Sequence, residues 1–93
     1  MANIFEVKSK DGKLIRLTEK QWFHIKYRHP EIANKLNIIE DAIANPTARI
    51  QHSEDTTKFY KFIKGENNYV MVAVRILNGE GFVITAYKTR RIS

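Results

Sequence analysis

The strongest hydrophobic pattern in the chain lies at positions 69–77, where YVMVAVRIL carries a single charge, Arg75. A run this short and this rich in β-branched residues is typical of a strand buried on both faces in the middle of a sheet. The turn sequence NGEG follows at positions 78–81, and residues 82–88 (FVITAYK) can return as an antiparallel partner. The pattern therefore predicts a central hairpin.

Polar side chains interrupt this hairpin at positions where the pattern predicts burial. Alternation predicts that Val83, Thr85 and Tyr87 share one face of the second strand. A hairpin with that face would gather Arg75, Thr85 and Tyr87 in one patch. Conflicts between local pattern and residue type are often found at functional sites, so this patch is a candidate site.

Two helices are predicted in the first half of the chain. Thr18 and Gln21 have the spacing of a capping box, in which each side chain bonds a free backbone amide. Pro30 disfavours a helical conformation at His29, so the first helix should end there. Residues 31–44 are expected to form the second helix. Its single apolar stripe consists of Ile32, Leu36, Ile39 and Ile43.

Shorter strands are predicted at both ends of the helical region. Residues 3–7 and 14–17 flank an Asp-Gly turn that indicates a hairpin, and residues 48–51 and 58–63 are further candidates. The order ββααββββ indicates an α+β fold. We expect an N-terminal hairpin and two helices packed on one face of an antiparallel sheet of about four strands.

Composition sets the class of protein and its partners. The 93 residues are expected to form a single domain, residues 1–93, and 43% of them are hydrophobic. The absence of cysteine excludes disulfides and thiolate metal sites. Without an apolar run near ~20 residues or a visible leader, we expect a cytoplasmic protein with no membrane partner. The net charge of +6 favours a polyanion, such as nucleic acid.

The first helix concentrates the side chains that could transfer protons. His24 and Arg28 are an i, i+4 pair, and His29 lies one residue beyond. A histidine can donate or accept a proton near neutral pH, although a helix histidine is as often a solvated or capping residue. His24 and His29 lack the i, i+4 spacing of helical zinc pairs, and no phosphate-binding glycine loop is present. We therefore expect neither a metal nor a cofactor.

One reaction needs neither a metal nor a covalent enzyme intermediate, and that is RNA cleavage by the 2′-hydroxyl of the RNA itself. It requires a base for the hydroxyl, cations for the phosphorane-like transition state, and an acid for the departing 5′-oxygen. Histidine, arginine, lysine, threonine and tyrosine can fill these roles, and the chain is rich in them.

Three segments support a resemblance: WFHIKYRHPEI around the first helix, and FYKFIKGENNYVMVAVRI and GFVITAYKT in the second half of the chain. Across about residues 17–89 the chain resembles the barnase–EndoU–colicin–RelE-like nuclease superfamily, in its phage- and toxin-associated branch. The resemblance implies helices followed by a four-stranded antiparallel sheet, metal-independent ribonuclease activity on RNA, and a toxin role. A cognate acidic inhibitor protein would suit such a role, because a basic cleft must be covered in the producing cell.

The resemblance also implies roles for residues of this chain. It maps proton transfer to His24, with His29 as the second histidine, and stabilisation of the phosphorane charge to Arg75. Thr85 and Tyr87 would bond phosphate, and Tyr87 could also stack on a base. These catalytic candidates are joined by three cations expected to bind or steer substrate, namely Lys26, Arg28 and Lys88.

Two other functions fit the sequence. A non-catalytic nucleic-acid-binding module would present a broad basic face with aromatic residues available for stacking, such as Phe59, Tyr60 and Phe62. A phage- or toxin-associated protein-interaction domain would present an exposed apolar patch without salt-dependent affinity for nucleic acid.

Overall fold

Regular secondary structure covers most of the chain in the computed structural model, which describes residues 2–92. In chain order the elements are β1 (Asn3–Lys8), β2 (Leu14–Thr18), α1 (Glu19–Arg28), a 3-10 helix (Pro30–Ile32), α2 (Leu36–Ala44), β3 (Ala48–Gln51), β4 (Thr56–Ile63), β5 (Asn68–Leu77) and β6 (Glu80–Thr89). The predicted element order and α+β class are therefore confirmed. Within residues 2–92, none of the helices has the length and apolar character of a membrane-spanning helix.

The sheet is larger than predicted, with six strands in the order β1-β2-β6-β5-β4-β3. The predicted N-terminal hairpin joins it because β2 pairs with β6, and this pairing is parallel whereas the others are antiparallel. Gly81 of β6 makes the close approach feasible, since a Cβ there would collide with the side chain of Ile15 in β2. The expectation of about four antiparallel strands is corrected to a six-stranded mixed sheet.

β5 lies in the interior of the sheet, between β6 and β4, as its hydrophobic pattern predicts. Val70, Val72 and Val74 are fully buried on one face, and Met71 and Ala73 are buried on the other. Both helices pack on the valine face, where the main core also includes Ile15, Leu17, Trp22, Ile25, Ile32, Ile39, Ala42, Ile43, Phe59, Ile63, Val83 and Ala86. The opposite face, which we call the open face, carries a small cluster around Tyr60 and Met71.

The second helix begins five residues later than predicted. Pro30 starts a separate 3-10 helix, in which the Ala33 N–H donates to the Pro30 carbonyl at 3.1 Å. Lys35 then leaves the helical region (φ −116°, ψ 21°), and its carbonyl accepts the first hydrogen bonds of α2. The predicted stripe is therefore divided, because Ile32 enters the core from the 3-10 helix and α2 supplies Ile39 and Ile43.

Truncation of Val72 should show how much the central strand contributes to stability. Val72→Ala removes buried methyl groups from a fully buried position, so we expect the free energy of unfolding to fall by about 1–3 kcal/mol. Urea denaturation with an unchanged m-value measures this loss. Leu77→Ala on the same strand, where the side chain is 48% exposed, should cost less than about 0.5 kcal/mol. Equal losses in the two variants would contradict the placement of β5.

Candidate functional site

Helix α1 begins where β2 ends, so the pairing of β2 with β6 sets its position. The Thr18 Oγ1 accepts a hydrogen bond from the Gln21 N–H at 3.1 Å, which is one half of the predicted capping box. The reciprocal half does not form. Instead, the Gln21 side-chain amide donates to the carbonyl of Ile84 in β6. Gln21 thereby fastens the first turn of α1 to the neighbouring strand.

A β-bulge in β6 changes the predicted directions of its side chains. Ala73 of β5 is opposite Thr85, but the next residue, Val74, is opposite Val83, so Ile84 is the extra residue. Val83 consequently faces the main core, whereas Thr85 and Tyr87 face the opposite way. The prediction that Val83 shares a face with Thr85 and Tyr87 is wrong, because simple alternation does not hold across a bulge.

A cleft lies between α1 and the second half of β6. β2 pairs with β6 only as far as Phe82, so beyond that point β6 is flanked by the helix instead of a strand. The cleft has a volume of about 390 Å³. It is lined by Gln21, His24, Arg28, His29, Ile84, Thr85 and Tyr87, and we call it the α1–β6 cleft.

His29 is held at the end of this cleft by its backbone and by two neighbouring side chains. Its N–H donates to the Ile25 carbonyl at 2.8 Å, while its dihedral angles (φ −135°, ψ 75°) already depart from the helix. Its ring centroid lies 5.2 Å from that of Tyr87, with a tilt of 43° between the ring planes. Its Nδ1 lies 3.8 Å from Glu31 Oε2. The imidazole is therefore oriented by contacts from two elements.

His24 and Arg28 project into the cleft from successive turns of α1. Both residues are exposed, and within residues 2–92 neither side chain forms a hydrogen bond or an ion pair. The lining residues include no carboxylate. The cleft therefore offers an unpaired guanidinium, two imidazoles and two hydroxyl groups to a ligand, a set of groups suited to a phosphate.

Arg75 does not line this cleft. It is on the open face, as Thr85 is, but its Nε lies 3.2 Å from Asp55 Oδ2. The pKa of Asp55 is lowered, mainly by a hydrogen bond from the Thr56 hydroxyl and further by the Arg75 guanidinium. The predicted meeting of His24 with Thr85 and Tyr87 is present in the structure, whereas Arg75 is paired elsewhere.

Two of the three predicted substrate-binding cations also lie outside the cleft. Lys26 Nζ lies 5.3 Å from the centre of the Trp22 ring. Lys88 Nζ is 2.5 Å from Glu66 Oε1, and the pKa of Glu66 is lowered by hydrogen bonds from Lys35 and from Lys88. Of the three predicted substrate-binding cations, Arg28 lines the cleft together with His24 and His29.

The sequence interpretation missed Gln21 and Ile84 as parts of the site. Gln21 was assigned to the capping box, and its longer reach to β6 depends on tertiary structure. Ile84 carries a weak signal, because three consecutive apolar residues (Phe82, Val83 and Ile84) interrupt the alternation of the strand. Such an interruption is compatible with a bulge but does not locate it.

The burial of aromatic side chains bears on the nucleic-acid-binding alternative. Phe59 and Tyr60 are buried, so of the three aromatic residues suggested for stacking only Phe62 is exposed.

Residues 2–92 contain no group of three or more histidine, aspartate or glutamate side chains placed to hold a metal ion. Comparison of the chain with protein-family models, curated proteins and solved structures gave no match.

The hydrogen bond from Gln21 to Ile84 should be measurable through stability. Gln21→Ala leaves the Ile84 carbonyl without its donor, so we expect a loss of about 0.5–1.5 kcal/mol in the free energy of unfolding. Gln21→Glu keeps the size but removes the donor, and it should lose at least as much. The neighbouring exposed residue gives the control, Lys20→Ala, which should change stability by less than about 0.5 kcal/mol. Changes in the NMR chemical shifts of the Ile84 and Thr85 backbone amides, present in Gln21→Ala and absent in Lys20→Ala, would assign the loss to this hydrogen bond.

Proposed function

We propose that the protein is a metal-independent ribonuclease and that the α1–β6 cleft is its active site. The observation that supports this best is the convergence of two histidines with Arg28, Thr85 and Tyr87 in one open cleft that no carboxylate lines. His24 and Arg28 have no carboxylate partner within residues 2–92, whereas the Glu31 carboxylate lies 3.8 Å from His29 Nδ1, so an anionic phosphate meets least repulsion on the His24–Arg28 side of the cleft. The resemblance in the Trp22–Ile32 segment and in the final strand supports the same function.

The reaction is an attack of the RNA 2′-oxygen on the adjacent phosphorus. One imidazole, in its neutral form, takes the 2′-hydroxyl proton while the new P–O bond forms. The other imidazole, in its charged form, gives a proton to the 5′-oxygen as the P–O bond to it breaks. The products are a 2′,3′-cyclic phosphate and a 5′-hydroxyl. His24 and His29 supply these two groups, so the reaction requires no outside co-reactant.

Charge develops on the phosphorus oxygens during this attack, and a nearby cation stabilises it. The resemblance gives this role to Arg75, but we assign it to Arg28, which lines the cleft without an ion pair. A guanidinium presents several N–H donors in a fixed plane and suits phosphate oxygens well. Thr85 and Tyr87 donate hydroxyl hydrogen bonds to the phosphate from the strand side of the cleft.

RNA binding without catalysis is the weaker alternative. It accounts for exposed aromatic rings on a basic face, such as Phe62 and the rings of α1, but it gives the two imidazoles of the cleft no chemical role. A toxin role, and with it an acidic protein that covers the cleft, would follow from the ribonuclease activity together with the surplus of positive charge.

Removal of His24 tests the proposal most directly. His24→Ala should lower the rate of RNA cleavage in EDTA by about 10²–10⁴-fold, the range for loss of a general acid or base. Labelled RNA and end-group identification of the cyclic phosphate measure this effect. Substitution of a deoxynucleotide on the 5′ side of the cleavage site should abolish cleavage there. Full activity in His24→Ala, or cleavage that EDTA abolishes, would contradict the proposal.

The choice between the two arginines can be tested in the same assay. Arg28→Ala should lower kcat by about 10²–10³-fold, the scale for removing one transition-state donor. Arg75→Ala should lower it less than tenfold, because Arg75 is paired with Asp55 outside the cleft. Arg28→Lys should recover only part of the rate, since an ammonium lacks the planar fork. A larger loss in Arg75→Ala than in Arg28→Ala would return the role to Arg75.

A further inference from the structure

Two large aromatic side chains on α1 are exposed and have no role in the proposed chemistry. Phe23 is 70% exposed and Tyr27 is 78% exposed, the two highest values among the exposed large hydrophobic residues. They are an i, i+4 pair, so their side chains follow one another along one face of the helix, about 6 Å apart in axial rise. Contiguous exposed apolar surface of this kind often marks a binding site. We call these residues the aromatic pair.

The aromatic pair adjoins the cleft-lining side chains of the same helix. Tyr27 is the i+3 neighbour of His24, so these two side chains are adjacent on the helix surface, whereas Phe23 is one turn before Tyr27 and about 100° around the helix from His24. The core-facing stripe of α1 is formed by Trp22 and Ile25 and points away from solvent. Tyr27 therefore borders the α1–β6 cleft beside His24, and Phe23 extends the exposed aromatic surface along the helix away from the cleft.

The charges around the aromatic pair favour a polyanion over an apolar protein surface. Lys20 is exposed and lies one helical turn before Phe23 and His24. Arg28 follows Tyr27 and has no carboxylate partner within residues 2–92. Aromatic rings interleaved with cations are the typical surface for single-stranded nucleic acid, whose bases stack while its phosphates meet the cations.

We infer that Phe23 and Tyr27 form a base-stacking subsite for the nucleotides that flank the cleaved phosphate. The inference rests on the proposed function, because it assigns the α1–β6 cleft to RNA. It adds a substrate class, namely RNA that is single-stranded at the cleavage site. Bases in a duplex are already stacked and paired, whereas unpaired bases can turn outward and stack on a protein ring. The subsite thus selects unpaired RNA.

The test measures binding without cleavage. Fluorescence anisotropy gives Kd for a single-stranded 2′-O-methyl oligonucleotide and for a blunt-ended, two-stranded 2′-O-methyl duplex, both of which lack the reactive hydroxyl. Phe23→Ala and Tyr27→Ala should each weaken binding of the single strand by about 5- to 100-fold, the range for loss of one stacked base. Binding of the duplex should change less than twofold. The salt dependence of Kd should keep its slope, because no phosphate contact is lost.

Two control variants separate stacking from general loss of apolar surface. Phe23→Trp retains a stacking ring and should bind the single strand at least half as tightly as the unaltered protein. Leu77→Ala removes an exposed apolar side chain at the end of β5 and should leave both Kd values unchanged. Unaltered single-strand affinity in Phe23→Ala and Tyr27→Ala would overturn the inference. Self-association that these variants abolish, with nucleic-acid affinity unchanged, would also overturn it.

Failure of the inference can be distinguished from failure of the ribonuclease proposal. If the protein cleaves RNA in EDTA but the alanine variants bind the single strand normally, the inference alone is wrong. If the protein binds the single strand through Phe23 and Tyr27 but cleaves nothing, the two residues stack on RNA bases and the ribonuclease proposal alone is wrong. If the protein neither binds nor cleaves RNA, both are wrong.

Discussion

The β-bulge at Ile84 is the local constraint on which the candidate site depends. One extra residue reverses the alternation of β6, so the strand buries Val83 against the helices and still presents Thr85 and Tyr87 on the opposite face. Without the bulge, Val83 and Thr85 would share a face, and one of them would be misplaced. Because the pairing of β2 with β6 ends at Phe82, no β2 residue pairs with Ile84, and its carbonyl accepts a hydrogen bond from the side chain of Gln21 in the neighbouring helix.

The position of α1 follows from the sheet rather than from the helix itself. β2 lies parallel to β6 and packs Ile15 against Gly81, where the missing Cβ leaves room for the Ile15 side chain, and the pairing ends at Phe82. Thr18 is both the last residue of β2 and the N-cap of α1, so no loop separates strand from helix. The short parallel pairing thus places the histidine-bearing helix beside the half of β6 whose outer edge no strand covers, and the cleft forms there.

Periodicity in the sequence predicts the elements, but long-range contacts decide the site. The pattern of residues 69–77 correctly predicts a buried central strand, and Thr18 and Pro30 correctly bound the first helix. The parallel pairing of β2 with β6 joins residues about 65 positions apart, so no local pattern reports it. Arg75 illustrates the same point within the site. Alternation places it on the correct face, but its partner Asp55 comes from the loop before β4, which only the fold brings near.

The net charge of +6 favours the proposed polyanion partner but does not say which cations would bind it, whereas the ion pairs show which cations are free of carboxylates. Many cations of residues 2–92 are already matched by carboxylates: Arg16 lies between Glu6 and Glu80, and Glu66 lies between Lys35 and Lys88. A paired cation must give up its carboxylate before it can bind a phosphate closely, and that exchange reduces the net gain. Arg28 has no carboxylate to release and lies beside two imidazoles. The cation best placed to bind phosphate at low cost is therefore also the one in the cleft where proton transfer is feasible.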